Sequence, residues 1–266
     1  MTEGYVDVDG GRLFYEEAGS GAAVVLIHPG LWDRRAWDFQ FEVFAERFRT
    51  VRYDVRGHGR SSPPQGEFSS VDDLHALLTR LAVERAALVG CSKGGRIAVD
   101  FTLEHPEMVG ALVLVASGLS GVQESDEDRE KWGPVLARID EAAHAGETER
   151  ALDLALEIWA PLGTDDPTGR RLRQIALENP QALTDEEELE RPIDPPATER
   201  LREIAAPTLV VLGAKDVEDI NQMWDERAPQ ISGSRTVVLD GADHLVAMRQ
   251  PEPFNELVIE FLASGT

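Results

Sequence analysis

The stretch Ala87-Leu88-Val89-Gly90-Cys91-Ser92-Lys93-Gly94-Gly95-Arg96-Ile97-Ala98-Val99 decides the reading of this chain. A short apolar run, Ala87–Val89, leads into Gly90, and an amphipathic stretch follows to His105. Between them stands G-x-S-x-G in the order strand, sharp turn, helix. A serine on such a turn is held in a strained backbone conformation with its hydroxyl exposed. The flanking glycines remove the β-carbons that would collide as strand and helix converge. The first turn of the helix adds backbone N–H groups and a positive dipole end beside the serine. Ser92 is therefore the candidate nucleophile.

A serine hydroxyl reacts poorly unless a base takes its proton and a third group holds that base. His244 lies in Asp240-Gly241-Ala242-Asp243-His244, just after the last strand-like run, and Asp216 lies in Gly213-Ala214-Lys215-Asp216, just after the run Thr208–Leu212. Catalytic groups of open α/β sheets gather at the carboxyl ends of strands. The chain order Ser92, Asp216, His244 is the one this turn motif predicts. Glu218, Asp219 and Asp243 stand close by in sequence as rivals to Asp216. An oxyanion needs two backbone donors. One is the N–H of Lys93, directly after the serine. The other belongs to the loop His28-Pro29-Gly30-Leu31, where Pro29 cannot donate, so Gly30 is the choice and Leu31 the next. His28 reads as a loop-orienting residue rather than a base.

Outward from this centre, strand-like runs occur at Tyr5–Val8, Arg12–Ala18, Ala23–Ile27, Thr50–Asp54, Ala111–Ala116 and Arg235–Leu239. Amphipathic stretches at Trp37–Arg47 and Val71–Leu81 alternate with them. Near-continuous apolar strands separated by helices predict a parallel sheet covered on both faces. Asp9-Gly10-Gly11 is a hairpin signal, so the sheet should begin antiparallel. Residues 122–200 break the pattern with helical stretches (Arg129–Ala143, Thr148–Trp159, Gly169–Leu177), an acidic run Asp185–Glu188, and the breakers Pro192, Pro195 and Pro196. The expectation is a core of residues 1–121 and 201–266 with an all-helical cap, 122–200, inserted between two strands.

The chain has 266 residues, 42% hydrophobic and 28% charged, enough to bury a large core without staples. Cys91 is its single cysteine, which excludes an intramolecular disulfide and a cysteine-rich metal site. The six histidines include no H-E-x-x-H pattern, so no metal is expected. The net charge of −23 disfavours nucleic acid and anionic membranes as partners. Residues 122–200 carry 9 basic and 21 acidic side chains, about half of that excess in under a third of the chain. The acidic start and the absence of a long apolar run predict a cytoplasmic protein with no signal segment and no membrane span.

With His28-Pro29-Gly30, Trp37-Asp38-Phe39-Gln40, Tyr53-Asp54-Val55-Arg56-Gly57-His58-Gly59-Arg60-Ser61, Gly90–Gly95, His105-Pro106, Gly213–Asp216, Gly241–His244 and Gln250-Pro251-Glu252 assembled, the chain resembles the α/β-hydrolase superfamily over nearly its whole length. The resemblance implies an α/β fold with a mostly parallel eight-stranded sheet, a Ser92-His244-Asp216 triad and a helical cap. It also implies that Asp54–Gly59 is a structural turn, so Asp54 and His58 are not counted as catalytic. Ser92 stands where epoxide hydrolases and haloalkane dehalogenases carry an aspartate nucleophile, which disfavours those chemistries, and where dienelactone hydrolases use cysteine. Cys91 is expected to be an inert buried thiol. Lys93 departs from the uncharged residue common at its position. It either packs its stem and solvates its charge, or binds a substrate carboxylate.

The function expected is a cofactor-free serine hydrolase of a small or medium carboxylic ester, thioester or lactone, working as a monomer or homodimer. The expected pocket is apolar, with Leu31, Trp132, Leu156, Trp159 and Leu162 on its walls. Rival readings on the same residues are a carbon–carbon bond hydrolase, a perhydrolase, an acyltransferase and a weakly catalytic ligand sensor.

Overall fold

The computed structural model describes residues 1–123, 126–183 and 189–264, with the side chains of 127 and 128 left aside. The acidic run Asp185–Glu188 lies outside the described residues. Eight strands form one sheet: β1 Thr2–Val8, β2 Gly11–Ala18, β3 Ala23–Ile27, β4 Arg49–Tyr53, β5 Ala86–Cys91, β6 Val109–Val115, β7 Thr208–Gly213 and β8 Arg235–Leu239. Their order is β1-β2-β4-β3-β5-β6-β7-β8. β1 pairs antiparallel with β2 through the turn at Gly10 (φ 70°), and β2 pairs antiparallel with β4; from β4 to β8 every pairing is parallel.

Helices cover both faces. On one side lie α2 (Ser70–Arg80) and α3 (Lys93–Glu104), and on the other α1 (Asp38–Ala45) and the C-terminal helix Pro251–Ser264. The strand residues divide by parity, as a pleated sheet requires. Val25, Ile27, Leu88, Leu112 and Leu114 join Leu74, Leu77 and Phe101 in one core. Val24, Leu26, Val89, Val113 and Val115 join Phe41, Phe44 and Phe254 in the other. Both parities are buried, which is why these strands read as continuous apolar runs.

One local difference from the sequence reading has a plain cause. The stretch read as one helix from Trp37 begins instead as a 3-10 turn, Arg34–Trp37, because the Asp33 carboxylate accepts from the Arg35 N–H and fixes its start. α1 then runs only to Ala45. Between β6 and β7 the chain forms α4 (Asp126–His144), α5 (Thr148–Trp159), α6 (Pro167–Leu177) and the short α7 (Ala197–Arg200). Leu152, Leu156, Leu172 and Ile175 from these helices pack with Trp32, Leu245 and Met248, which follow β3 and β8. The helical stretch thus sits over the carboxyl ends of the strands. Past β7 come α8 (Glu218–Arg227), α9 (Val246–Arg249) and α10, the C-terminal helix.

Candidate active site

Ser92 occupies the turn between β5 and α3 with φ 51° and ψ −115°, a conformation that costs about 1–3 kcal/mol. The fold leaves no alternative path. A β-carbon on Gly90 would stand 2.2 Å from the Gly94 carbonyl oxygen, and one on Gly94 would stand 2.1 Å from that of Ile27. Ser92 is fixed on three sides: its N–H donates to Val115 O (3.0 Å), and its carbonyl accepts from Arg96 N–H (3.0 Å) and Gly118 N–H (3.0 Å). The strain therefore persists because β6, α3 and the loop after β6 over-determine it.

His244 is buried after β8, and its Nδ1 lies 3.0 and 3.1 Å from the two carboxylate oxygens of Asp216, which follows β7. The carboxylate holds the proton on Nδ1 and leaves Nε2 as the acceptor. Asp216, with no side-chain exposure, also accepts from Val217 N–H (2.7 Å). The nearby acids have other partners. Asp243 receives the Arg249 guanidinium and the N–H groups of Leu245 and Leu162; Asp219 receives Lys131 and the Trp132 indole; Glu218 receives Gln222. Ser92 and His244 both line one cavity of about 520 Å³. Among the described residues His244 is held through Nδ1, and no hydrogen bond joins it to Ser92.

Gly30 and Lys93 line the same cavity. The loop carrying Gly30 is braced by two buried imidazoles. His28 donates from Nδ1 to Pro29 O (2.9 Å) and accepts the Val55 N–H on Nε2 (2.9 Å). His58 places Nε2 2.6 Å from Gly30 O. Burial lowers both histidines to about 4, so both are neutral at physiological pH. His28 reads from the sequence as a loop-orienting residue, whereas His58 lies in the Asp54–Gly59 turn and its reach across 28 positions to Gly30 has no sequence signal.

Of the residues expected on the pocket wall, Leu31 and Trp159 line the cavity, and the Trp159 ring lies 4.7 Å from that of His244. The other three stand elsewhere. Trp132 turns its indole N–H to Asp219, Leu156 is packed among Trp32 and Leu172, and Leu162 is 43% exposed. Sequence reasoning missed the cavity residues Phe68, Arg96, Leu136, Ile139 and Ala155, which only the packing of the helical stretch on the sheet brings together. Cys91 is buried, with its thiol pushed up by burial and near His244 O. Among the described residues no group of three histidine, cysteine or acidic side chains is placed to hold a metal. No helix among them is long and apolar enough to cross a membrane.

Comparison with known proteins meets this geometry. A family model described as "Alpha/beta hydrolase family" matches residues 24–257. The first curated relatives include an uncharacterized protein of Mycobacterium tuberculosis, 36% identical over 115 residues; the match spans 42% of this chain and only about a third (33%) of that protein. A putative 2-succinyl-6-hydroxy-2,4-cyclohexadiene-1-carboxylate synthase of Bacillus subtilis is 28% identical over 96% of each chain. A 2-hydroxy-6-oxononadienedioate/2-hydroxy-6-oxononatrienedioate hydrolase of Paraburkholderia xenovorans is 28% identical over 95% of this chain and 91% of its own. Among solved structures, a thermophilic esterase from Thermogutta terrifontis with malate bound superposes with a TM-score of 0.79, at 26% identity over 100% of this chain and 99% of that one.

Proposed function

Because the chain belongs to the alpha/beta hydrolase family, we propose that it is a serine hydrolase that cleaves a small or medium carboxylic ester, thioester or lactone through an acyl-enzyme. One observation carries this reading: a buried Asp216–His244 pair opens onto the same cavity as a serine held in a strained turn.

The chemistry follows from the geometry. With Nδ1–H bound to Asp216, Nε2 of His244 takes the proton from Ser92 as Oγ attacks the carbonyl carbon. The negative charge that develops on the carbonyl oxygen is received by the backbone N–H groups of Lys93 and Gly30, each worth about 3 kcal/mol in such sites. His244 then protonates the leaving alcohol, thiol or ring oxygen, and an acyl-Ser92 remains. Water activated by His244 releases the acid. No metal or organic cofactor enters these steps.

Residues 122–200 act as a cap that bounds the cavity with Trp159, Leu136, Ile139 and Ala155, while residues 1–121 and 201–266 supply the catalytic groups. We take the enzyme to be cytoplasmic, with a small molecule as its partner. A second reading, carbon–carbon bond hydrolysis on the same residues, is favoured by the likeness to the Paraburkholderia hydrolase along nearly the whole chain. Hydrolysis of p-nitrophenyl butyrate tests the main reading. Wild type turns it over well above background and Ser92→Ala loses about 10⁴-fold or more in kcat. Equal rates in the two proteins refute it.

A further inference from the structure

In acylation His244 protonates the leaving oxygen, so the alcohol part of the substrate lies against whatever packs on that imidazole. The inserted helices supply it. Trp159, the last residue of α5, is half-buried and lines the cavity with Ser92 and His244. Its ring centre stands 4.7 Å from that of His244, with the two planes tilted by 43°. Trp32 and Phe68 also line the cavity but are engaged elsewhere. Trp32 is buried and donates its indole N–H to Leu172 O (3.0 Å), and the Phe68 ring faces the Arg56 guanidinium at 5.3 Å.

The indole is firmly placed. α5 ends where the Ala160 N–H donates to Leu156 O (2.8 Å), and the loop that follows is tied to the residue before His244. Arg249, with its side chain 4% exposed, pairs with Asp243 (3.0 Å) and donates to Gly163 O (2.7 Å), while the Leu162 N–H reaches Asp243 at 3.4 Å. Trp159 also packs, with Leu31 and Leu183, against both apolar clusters of the inserted helices. Ala155, one turn earlier on the same face of α5, brings only a methyl group to the cavity. The large flat surface beside His244 is therefore the Trp159 indole. An aromatic ring pairs with such a surface edge-on or offset, at centre separations of about 4.5–7 Å, and a puckered aliphatic ring of the same size does not reproduce that attraction.

Resting on the serine-hydrolase reading, we propose that Trp159 sets specificity on the alcohol side, and that the substrate is an ester whose alcohol part carries an aromatic ring on the ester oxygen or one carbon from it. Once acyl-Ser92 has formed the alcohol has left, so this selection is exercised in acylation alone.

The test is a ratio. The kcat/KM values of benzyl butyrate and of cyclohexylmethyl butyrate are compared in wild type, Trp159→Phe and Trp159→Leu, with folding of each variant checked by thermal unfolding. The two alcohols are close in size and leaving ability, and both esters pass through the same butyryl-Ser92. A difference in kcat/KM therefore reports contact with the alcohol during acylation. Wild type should prefer the benzyl ester by about 3-fold or more, the scale of one aromatic pair, and Trp159→Leu should bring the ratio to about one. Trp159→Phe should keep the preference. The ratio of benzyl butyrate to benzyl hexanoate, which varies the acyl chain instead, should move less in Trp159→Leu than the alcohol ratio does. A wild-type alcohol ratio at or below one overturns the proposal. So does a ratio that is the same in wild type and Trp159→Leu, or an acyl ratio that moves as far as the alcohol ratio. Turnover of either ester that is lost in Ser92→Ala leaves the hydrolase reading standing in each of those cases. No turnover of either ester by wild type overturns both.

Discussion

Ser92 and His244 depend on groups that do no chemistry themselves. The strained φ of Ser92 survives because Val115, Arg96 and Gly118 all bind its backbone. The orientation of His244 survives because both oxygens of Asp216 meet Nδ1. Asp216→Asn keeps the shape but presents an amide that can pin the ring with its proton on the wrong nitrogen. The expected result is a loss of about 10⁴-fold in kcat with near-normal thermal stability, read by ester hydrolysis and calorimetry. Glu218, Asp219 and Asp243 are each bound elsewhere, so none is placed to rescue it. At this scale the sequence was informative wherever a local motif demanded a conformation. Gly90 and Gly94 could be read as necessary from the turn alone, and the structure gives the collisions that a side chain would cause. Choosing Asp216 among four neighbouring acids needed the partners of all four.

Elements explain what the sequence could and could not carry. β3, β5, β6 and β7 are buried on both faces, so their apolar runs were conspicuous; their bounds shift by only a residue or two from the expected ones. The contacts of the inserted helices were illegible, because their partners lie far along the chain. Trp132 meets Asp219 across 87 positions, and the Trp32 indole N–H donates to Leu172 O across 140. Asn179, after α6, is the clearest of these links. Its amide nitrogen donates to Asp33 Oδ2 and Ile175 O (both 2.8 Å), and its oxygen accepts the Gly59 N–H (2.8 Å). Asn179→Leu strands the Gly59 N–H and takes one donor from Asp33 Oδ2, which keeps Arg35. A loss of about 1–3 kcal/mol is expected, seen as a lower urea midpoint at unchanged slope. A shift below about 0.5 kcal/mol would mean that the helical stretch is held by apolar packing alone.

The whole molecule is a strongly acidic body whose interior keeps two histidines neutral. His28 and His58 are lowered by burial to about 4, below the ordinary 6.5. A histidine with a depressed folded value contributes stability that is present above 6.5 and is lost as pH falls toward 4, because the unfolded chain binds the proton first. Asp100 works in the opposite sense: burial raises it to about 6, so its contribution is present below the ordinary carboxylate value and is lost as pH rises through 6. A difference measurement separates these groups. The stability advantage of wild type over His28→Asn should shrink by about 2 kcal/mol between pH 7 and pH 4.5, followed by urea unfolding. A constant advantage would mean that His28 takes up its proton in the fold as it does in the unfolded chain. The composition disclosed the acidity of the chain but not the walls of its cavity, since Leu136, Ile139 and Ala155 meet Ser92 and His244 only when the inserted helices are packed on the sheet.

The proposed chemistry turns on an activated serine. Intact-mass analysis after incubation with a fluorophosphonate, on wild type, Ser92→Ala and His244→Ala, tests it most directly. One adduct per wild-type chain, mapped to Ser92, absent in Ser92→Ala and strongly slowed in His244→Ala, is the predicted result. An unlabelled wild type, or an adduct that persists in Ser92→Ala, would contradict it.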